Sequence, residues 1–455
     1  MRRAGLRDAK IARVRAEVEA KPAAGGARIS RLGLETLAST IVVYGLALVA
    51  GILIARALGP AGRGRYHLPV TLATLAVLVG SWGLDQAQRR SLGSGTATRD
   101  ELVATALAAG AGLGTAAALA AWALFSWNPG LLFDGVRPAD MAIVAVMIPP
   151  QVHCRLLNSL LVLGDRLRAS NAVRILAAAV QTTIAVCLAG FGLLTVEAVL
   201  VLYAATNLLL WGSTAAAVRG FGRVRHVAWS TVRTELWVGT QLQPAIVLAH
   251  LNLRADVFFV AWYASLHEVG LYAVAVTVSE LVWLPTDAVA SAVAARQTTA
   301  PAAEAVDATM RAVRMSLVVG LLVALALAIA APAIVGLLYG AAFRPAVPAV
   351  WALLAASVAM AVWRPIGGAL LRLAPPHVQS VIAGVALLVN VGLNVLLIPR
   401  IGIVGAGLAS VASYVAGATL AAGFFLRGHR LGVAALIPTR DELTDLVALG
   451  RVRSR

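Results

Sequence analysis

A chain of 455 residues that is 60% hydrophobic, only 13% charged and of mean hydropathy +0.84 is far more apolar than ordinary soluble domains, so the solvent to reason with is a membrane. The formal charge of +17 rests on 36 arginines and 2 lysines, and its distribution along the chain decides whether nucleic acid is a candidate partner. The two cysteines, Cys154 and Cys187, lie inside apolar runs and indicate neither a disulfide framework nor a metal cluster.

In chain order, residues 1–30 form a basic tail with no apolar core, which argues against a cleavable secretory signal. Ile11, Val14 and Val18 share one helical face amid arginines, the pattern of a short helix on an anionic membrane surface; a solvated disordered tail is the alternative. Twelve apolar runs of membrane-spanning length follow, near residues 34–57, 66–84, 102–125, 141–163, 171–190, 196–217, 238–263, 269–293, 315–338, 347–371, 380–398 and 404–426. With the N-terminus placed in the cytoplasm, 29 arginines and lysines fall on the cytoplasmic side and six outside: Arg56, Arg63, Arg65, Arg137, Arg344 and Arg400. This asymmetry explains the basic charge without nucleic acid and puts both termini in the cytoplasm. After the last span, Thr439 and Glu442 stand at capping-box spacing ahead of Leu443, Leu446 and Leu449, which predicts a short interfacial or cytosolic helix.

The two halves read as copies. "GRY" at 64–66 recurs as "GLY" at 270–272, Gly192 recurs as Gly402, and Arg155 recurs as Arg364, at offsets of 206, 210 and 209. The expected fold is an all-α integral membrane protein of twelve transmembrane helices in two pseudo-symmetric six-helix bundles. Its parts are a tail at 1–30, lobes at 31–218 and 235–427, a basic cytoplasmic linker at 219–234 and a tail at 428–455.

Three arginines, Arg155, Arg254 and Arg364, fall within spans. A charge at mid-membrane is costly and by default faces protein or a wet cavity. In "LNLRADVFFVAWYAS", Arg254 and Asp256 lie about 200° apart on a helix and cannot pair with each other. Gln243, His250 and Arg254 make one polar stripe of that span, and Gln241, Asn252 and Asp256 make another. Glu280 and Asp287 share a face of the next span around Pro285, and either could pair with Arg254. Asn158 shares a face with Gln151 and Arg155 below Pro149 and Pro150, while Arg364 immediately precedes Pro365.

Several guanidinium groups around one cavity suit phosphate, since the planar fork gives two parallel hydrogen bonds to its oxygens. The expected cargo site is therefore Arg155, Arg254, Arg364, Gln243, His250 and Asn158. Glu280, Asp256 and Asp287 are candidates for ion coupling, with H+ or Na+ as the ion, and Asn390 and Asn394 are read as helix-packing residues. Snorkelling of Arg155 and Arg364 to headgroups, and a purely structural ion pair at Arg254, are the competing readings. There is no phosphate-cradling loop for ATP hydrolysis, no metal cluster and no catalytic constellation, so neither a cofactor nor an enzymatic activity is expected.

The stretches 55–90 ("ARALGPAGRGRYHLPVTLATLAVLVGSWGLDQAQRR"), 251–290 and 387–417 resemble the polysaccharide-biosynthesis, or oligosaccharide flippase, branch of the multidrug/oligosaccharidyl-lipid/polysaccharide exporter superfamily. Asn390, Asn394, Pro399, Gly402 and Gly405 stand where that family has its usual residues. The resemblance implies a V-shaped pair of bundles moving a polyprenyl-pyrophosphate-linked sugar to the outer leaflet of the bacterial cytoplasmic membrane by alternating access. Peptidoglycan-precursor flippases commonly carry two further C-terminal helices, so the expectation is a polysaccharide-unit flippase. Membrane lipids and polymerases or glycosyltransferases are the expected partners, and the chain is expected to be a monomer. The competing readings are a cation-coupled multidrug exporter, a major-facilitator transporter, which "GLDQAQRR" matches only in part, and a non-transporting scaffold of polysaccharide assembly.

Overall fold

The computed structural model describes residues 25–164, 166–219, 221, 227–439 and 442, without the side chains of 25–34, 294–296, 298, 299 and 376. Ile11, Val14 and Val18, residues 220 and 222–226 of the basic linker, and Leu443, Leu446 and Leu449 lie outside the described residues. Among those described there is no strand: long Ala-, Leu- and Val-rich runs form helices, the arrangement in which a segment in lipid satisfies its own backbone hydrogen bonds.

The first half comprises α1 (Gly25–Gly80), α2 (Leu84–Gly93), α3 (Arg99–Trp127), α4 (Pro129–Leu132), α5 (Pro138–Val146), α6 (Ile148–Leu163), α7 (Leu167–Gly190) and α8 (Val196–Val218). The second comprises α9 (Trp229–Tyr263), α10 (Leu266–Ser279), α11 (Trp283–Thr299), α12 (Ala302–Ile334), α13 (Val347–Leu373) and α14 (Pro376–Gly428). Short polar side chains start several of them. At α3, Thr98 Oγ1 accepts from the Glu101 amide while the Glu101 carboxylate accepts from the Thr98 amide, a reciprocal cap.

Ten helical runs are long and apolar enough to cross a membrane, and two are double length: Glu35–Gly93 with 59 residues and His377–Gly428 with 52. At 1.5 Å per residue the longer would reach about 90 Å, three times the roughly 30 Å hydrocarbon core. Both fold back. Gly59 takes φ 64° ahead of Pro60, and Gly402 takes φ 60° beyond Pro399. Glu35 pairs with Arg168 just after the α6–α7 turn, and Gln88 accepts from Ser159 just before it, so both ends of the first run lie at one face. The second folds tightly enough that a methyl on Gly405 would stand 2.7 Å from the Leu397 carbonyl. Two hairpins among ten runs are consistent with the twelve crossings expected.

Prolines set the interior breaks. Pro149 and Pro150 lack the amide donors a continuous helix needs, and α5 and α6 are separated at Met147. Pro285 does the same between α10 and α11, where Glu280–Val282 form one 3-10 turn.

The bundles meet at two seams. At the face opposite the described chain ends, Gly64 of α1 and Gly270 of α10 press together: a methyl on Gly64 would lie 1.8 Å from the Leu266 carbonyl oxygen, and one on Gly270 1.9 Å from that of Pro60. The two glycines the sequence pairs as repeat partners are thus spatial partners across the interface. At the other face, Trp82 (φ 49°) and Gly83 (φ 65°) turn into Gly239 of α9, where a methyl would lie 2.1 Å from the Trp82 carbonyl oxygen. The Trp82 indole donates to Thr240 at 3.0 Å. The bundles thus touch at both faces.

Candidate functional site

Each interior arginine has its own acid. Arg155 on α6 reaches Asp85 on α2 at 3.1 Å, Arg364 on α13 reaches Asp287 on α11 at 3.1 Å, and Arg254 on α9 reaches Glu280 at 2.7 Å, in the broken turn ahead of Pro285. The first two pairs are pseudo-equivalent: Asp85 precedes Asp287 by 202 positions and Arg155 precedes Arg364 by 209. Asp85, which the sequence reading passed over as part of a loop, is 5% exposed because α2 is amphipathic and turns Leu84, Asp85, Ala87, Gln88 and Ser91 inward. The 202 positions between the two aspartates fall short of the 206–210 of the sequence repeat, so the repeat did not point to Asp85; the amphipathic pattern of α2 was the signal that could have found it.

These pairs differ from the ion pairs elsewhere in the chain. Arg65 holds Asp140 through Nε and Nη2, Arg168 holds Glu35 likewise, and Arg314 grips Glu442 with three bonds. Arg155 gives Asp85 one hydrogen bond, and Arg254 and Arg364 approach Glu280 and Asp287 without forked hydrogen bonds. Arg364 also lies 4.9 Å above the Trp283 ring. All three guanidinium groups, Arg155 from the first bundle and Arg254 and Arg364 from the second, are within electrostatic range of the His250 ring. Arg364 borders a cavity of about 170 Å³ with Asn252, Trp363 and Gln379, smaller than the roughly 300 Å³ at which small-molecule pockets begin.

The remaining expected cargo residues are placed differently. Gln243, expected beside Arg254 on the cargo stripe, is instead 8% exposed in the seam, where it donates to the Leu78 carbonyl at 2.7 Å and ties α9 to the end of α1. Asn158 accepts from Ser170 at 2.7 Å within the first bundle. His250 Nδ1 donates within its own helix, to the Ile246 carbonyl at 2.9 Å.

Asp256 faces away from Arg254, as the 200° spacing requires, into a sealed network. Its Oδ2 accepts from Tyr272 at 2.7 Å and Ser410 at 2.6 Å, and its Oδ1 from Asn394 at 3.4 Å. Asn394 also donates to Asn390, which in turn donates to Ser413, so both asparagines, 0% exposed, join α14's two arms to α9 and α10. Tyr272 and Ser410 were not anticipated; they are separated from Asp256 by 16 and 154 positions, and only the fold brings them together. A void of about 10 Å³, near the size that holds one water, touches both Asp256 and Glu280. Among the described residues, no group of three His, Cys, Asp or Glu side chains could hold a metal ion.

The family model described as polysaccharide biosynthesis protein matches residues 33–295, more than half of the chain and all of the first bundle, Arg254 and Glu280. The chain belongs to the polysaccharide biosynthesis protein family. No curated protein sequence matches it. Among solved structures, this family member is similar to the lipid II flippase MurJ in an inward closed conformation, with TM-score 0.71 and 13% identity over 90% of this chain and 89% of that one. It is also similar to an inward-facing multidrug resistance MATE family transporter of the MOP superfamily, with TM-score 0.68 and 14% identity over 85% and 93%. A third, a MOP superfamily transporter from Pyrococcus furiosus described as having a binding pocket of reverse polarity, gives TM-score 0.61 and 15% identity over 88% and 94%. At these identities the likeness establishes the fold: a multi-pass membrane protein with the two-bundle architecture of flippases and transporters.

Proposed function

We propose that this polysaccharide biosynthesis family member is a flippase that carries a polyprenyl-diphosphate-linked oligosaccharide across the bacterial cytoplasmic membrane by alternating access, with both chain ends cytoplasmic. The observation that carries the reading is the shared field of Arg155, Arg254 and Arg364 at His250, each arginine paired with one acid that it does not fork. Single contacts keep donors available, and a diphosphate offers more oxygens to a planar guanidinium than one carboxylate does. Before cargo binds, each acid neutralises its arginine and lowers the cost of drawing these half-buried charges into the interior. Diphosphate then exchanges for the carboxylates. The lipid chain stays in the bilayer, membrane lipids flank the bundles, and a glycosyltransferase or polymerase supplies or consumes the cargo.

Glu280, Asp256 and Asp287 are the carboxylates on which a coupling ion, H+ or Na+, acts in this scheme. The small void bordering Asp256 and Glu280 supports a link between the sealed network and the arginine site. A cation-coupled exporter draws on the same charge balance: with three acids matching three arginines, the resting interior carries no net positive charge from these groups.

The test is transport of radiolabelled farnesyl diphosphate by the full chain in proteoliposomes. Arg254→Ala should reduce it about tenfold or more, the cost of losing a charge-assisted contact, while membrane insertion is unchanged. Wild-type transport by that variant, or transport of organic cations in preference to the diphosphate, would exclude the flippase.

A further inference from the structure

Arg63, Tyr66 and His67 share one face of α1 just beyond the Gly59 turn, at i, i+3 and i+4, and that face looks into the second bundle. Arg63 acts electrostatically on Tyr66 and His67 and, across the interface, on Tyr339, while His67 also lies in the field of Arg254. Three polar atoms here are buried and have no partner: Arg63 Nε, His67 Nε2 and the Tyr339 hydroxyl, the last on a residue only 4% exposed. Two residues along the same helix, Arg65 is forked by Asp140 and touched by Glu197. Arg63 has no acid beside it among the described residues; its guanidinium carbon lies 5.5 Å from the Tyr66 ring.

An unpaired guanidinium in a closed interface is expensive, and a cation–π contact offsets little of that cost. Unsatisfied buried donors ask for a ligand. The three atoms are all able to donate to an oxyanion and they come from both bundles, and His67 lies within electrostatic range of both Arg63 and the central Arg254. Gly64, next in sequence to Arg63, forms the seam that must part for outward release.

We propose that Arg63, His67 and Tyr339 form a second anion site, on the outer side of the central arginines, which receives the diphosphate of the cargo from Arg254 before release. This rests on the flippase reading above and gives it an order of events. The central site competes with its own acids, whereas Arg63 has none, so the diphosphate moves outward to a cation that needs no carboxylate displaced. Parting of the Gly64–Gly270 seam then removes Tyr339 from Arg63, hydrates the guanidinium and weakens its hold.

The experiment uses the full chain and two readouts: equilibrium dialysis of radiolabelled inorganic pyrophosphate against the detergent-solubilised protein, and transport of radiolabelled farnesyl diphosphate in proteoliposomes. Arg63→Ala should retain pyrophosphate binding at the central site and lose transport about tenfold, with Arg63→Lys recovering part of it and Tyr339→Phe showing a smaller loss at unchanged thermal stability. Arg254→Ala should lose both. Wild-type transport by Arg63→Ala overturns the second site. So does loss of pyrophosphate binding as complete as in Arg254→Ala, or an equal loss in Arg63→Ala and Arg63→Lys accompanied by a lower melting temperature, which assigns Arg63 to packing. If Arg254→Ala transports normally, the carrier reading itself has failed and the relay with it.

Discussion

Substituting Gly270 with alanine tests the closed seam directly. The added methyl would lie 1.9 Å from the Pro60 carbonyl oxygen and 2.7 Å from its carbon, whereas ordinary contact begins at 3.4 Å. The obstacle is backbone, so no side-chain rotation relieves it, and the bundles must back away by roughly 1.5 Å. Overpacking of this kind costs about 1–3 kcal/mol. Charged only against the state in which the seam is closed, that corresponds to a shift of about 5- to 150-fold toward the state open at this face. Gly112→Ala is the control, because a methyl there meets nothing within 4 Å. The assay is a spin-label distance measurement between Asp134, exposed in a turn of the first bundle, and Ala341, exposed at the start of the 3-10 segment Ala341–Ala346 of the second, after replacement of Cys154 and Cys187 by serine. Gly270→Ala should add or enlarge a long-distance population, Gly64→Ala should do the same, and the double variant should add little to either, since one parting relieves both. An unchanged distance distribution in Gly270→Ala at unchanged thermal stability would refute the reasoning.

Two further predictions concern the paired charges. Arg155→Ala strands Asp85, 5% exposed, as a buried carboxylate without its cation, so thermal unfolding in detergent should show a loss of about 3–5 kcal/mol, largely restored in the Arg155→Ala/Asp85→Asn double variant. At the described C-terminal end, the Arg314 fork and the Thr439 cap hold the Glu442 carboxyl at about 2, against an ordinary value of 4.5. Because the docked state depresses this pKa, its contribution is complete above 4.5 and is lost as pH falls through about 2. Limited proteolysis of the tail should therefore accelerate on acidification across that window in the wild type, and be fast and pH-independent in Glu442→Gln.

The crossings were legible because hydropathy alone fixes them, and the interior breaks were legible from Pro149, Pro150 and Pro285, which remove specific amide donors. The boundary of the second crossing was not. Arg63 and Arg65 depress the local hydropathy, so the expected span begins at residue 66 and both arginines read as loop residues; in the fold the helix resumes directly after Gly59 and carries them into the interface. Asp85 was lost for a related reason, because "DQAQRR" reads as a solvated linker until the amphipathic turn of α2 is seen. The arginines were legible as buried charges, but of their acids only Glu280 and Asp287 were in view. The choice between those two for Arg254 depended on where the 3-10 turn puts Glu280, which no spacing rule supplies.

The repeat also shows where the two bundles differ. Arg155–Asp85 and Arg364–Asp287 are pseudo-symmetric pairs at the same 3.1 Å, so a rocking motion that treats the bundles alike loads both alike. Arg254–Glu280 has no such partner: the positions 206 earlier are Leu48 and Thr74. Asp256 has none either, since the same offset leads to Ala50, which packs with Ala185 and Leu202 in a small dry cluster where the second bundle has its carboxylate, asparagines and hydroxyls. A ligand can bias two conformations only by interacting differently with each. The symmetric pairs are poorly suited to that role. The groups able to distinguish inward from outward states are those that break the symmetry, Arg254, Glu280 and the Asp256 network. Neutralising Glu280 with glutamine should therefore move the conformational equilibrium further than neutralising Asp85 or Asp287 with asparagine, as read by the same spin-label pair; equal shifts from all three would place the bias in the symmetric pairs instead.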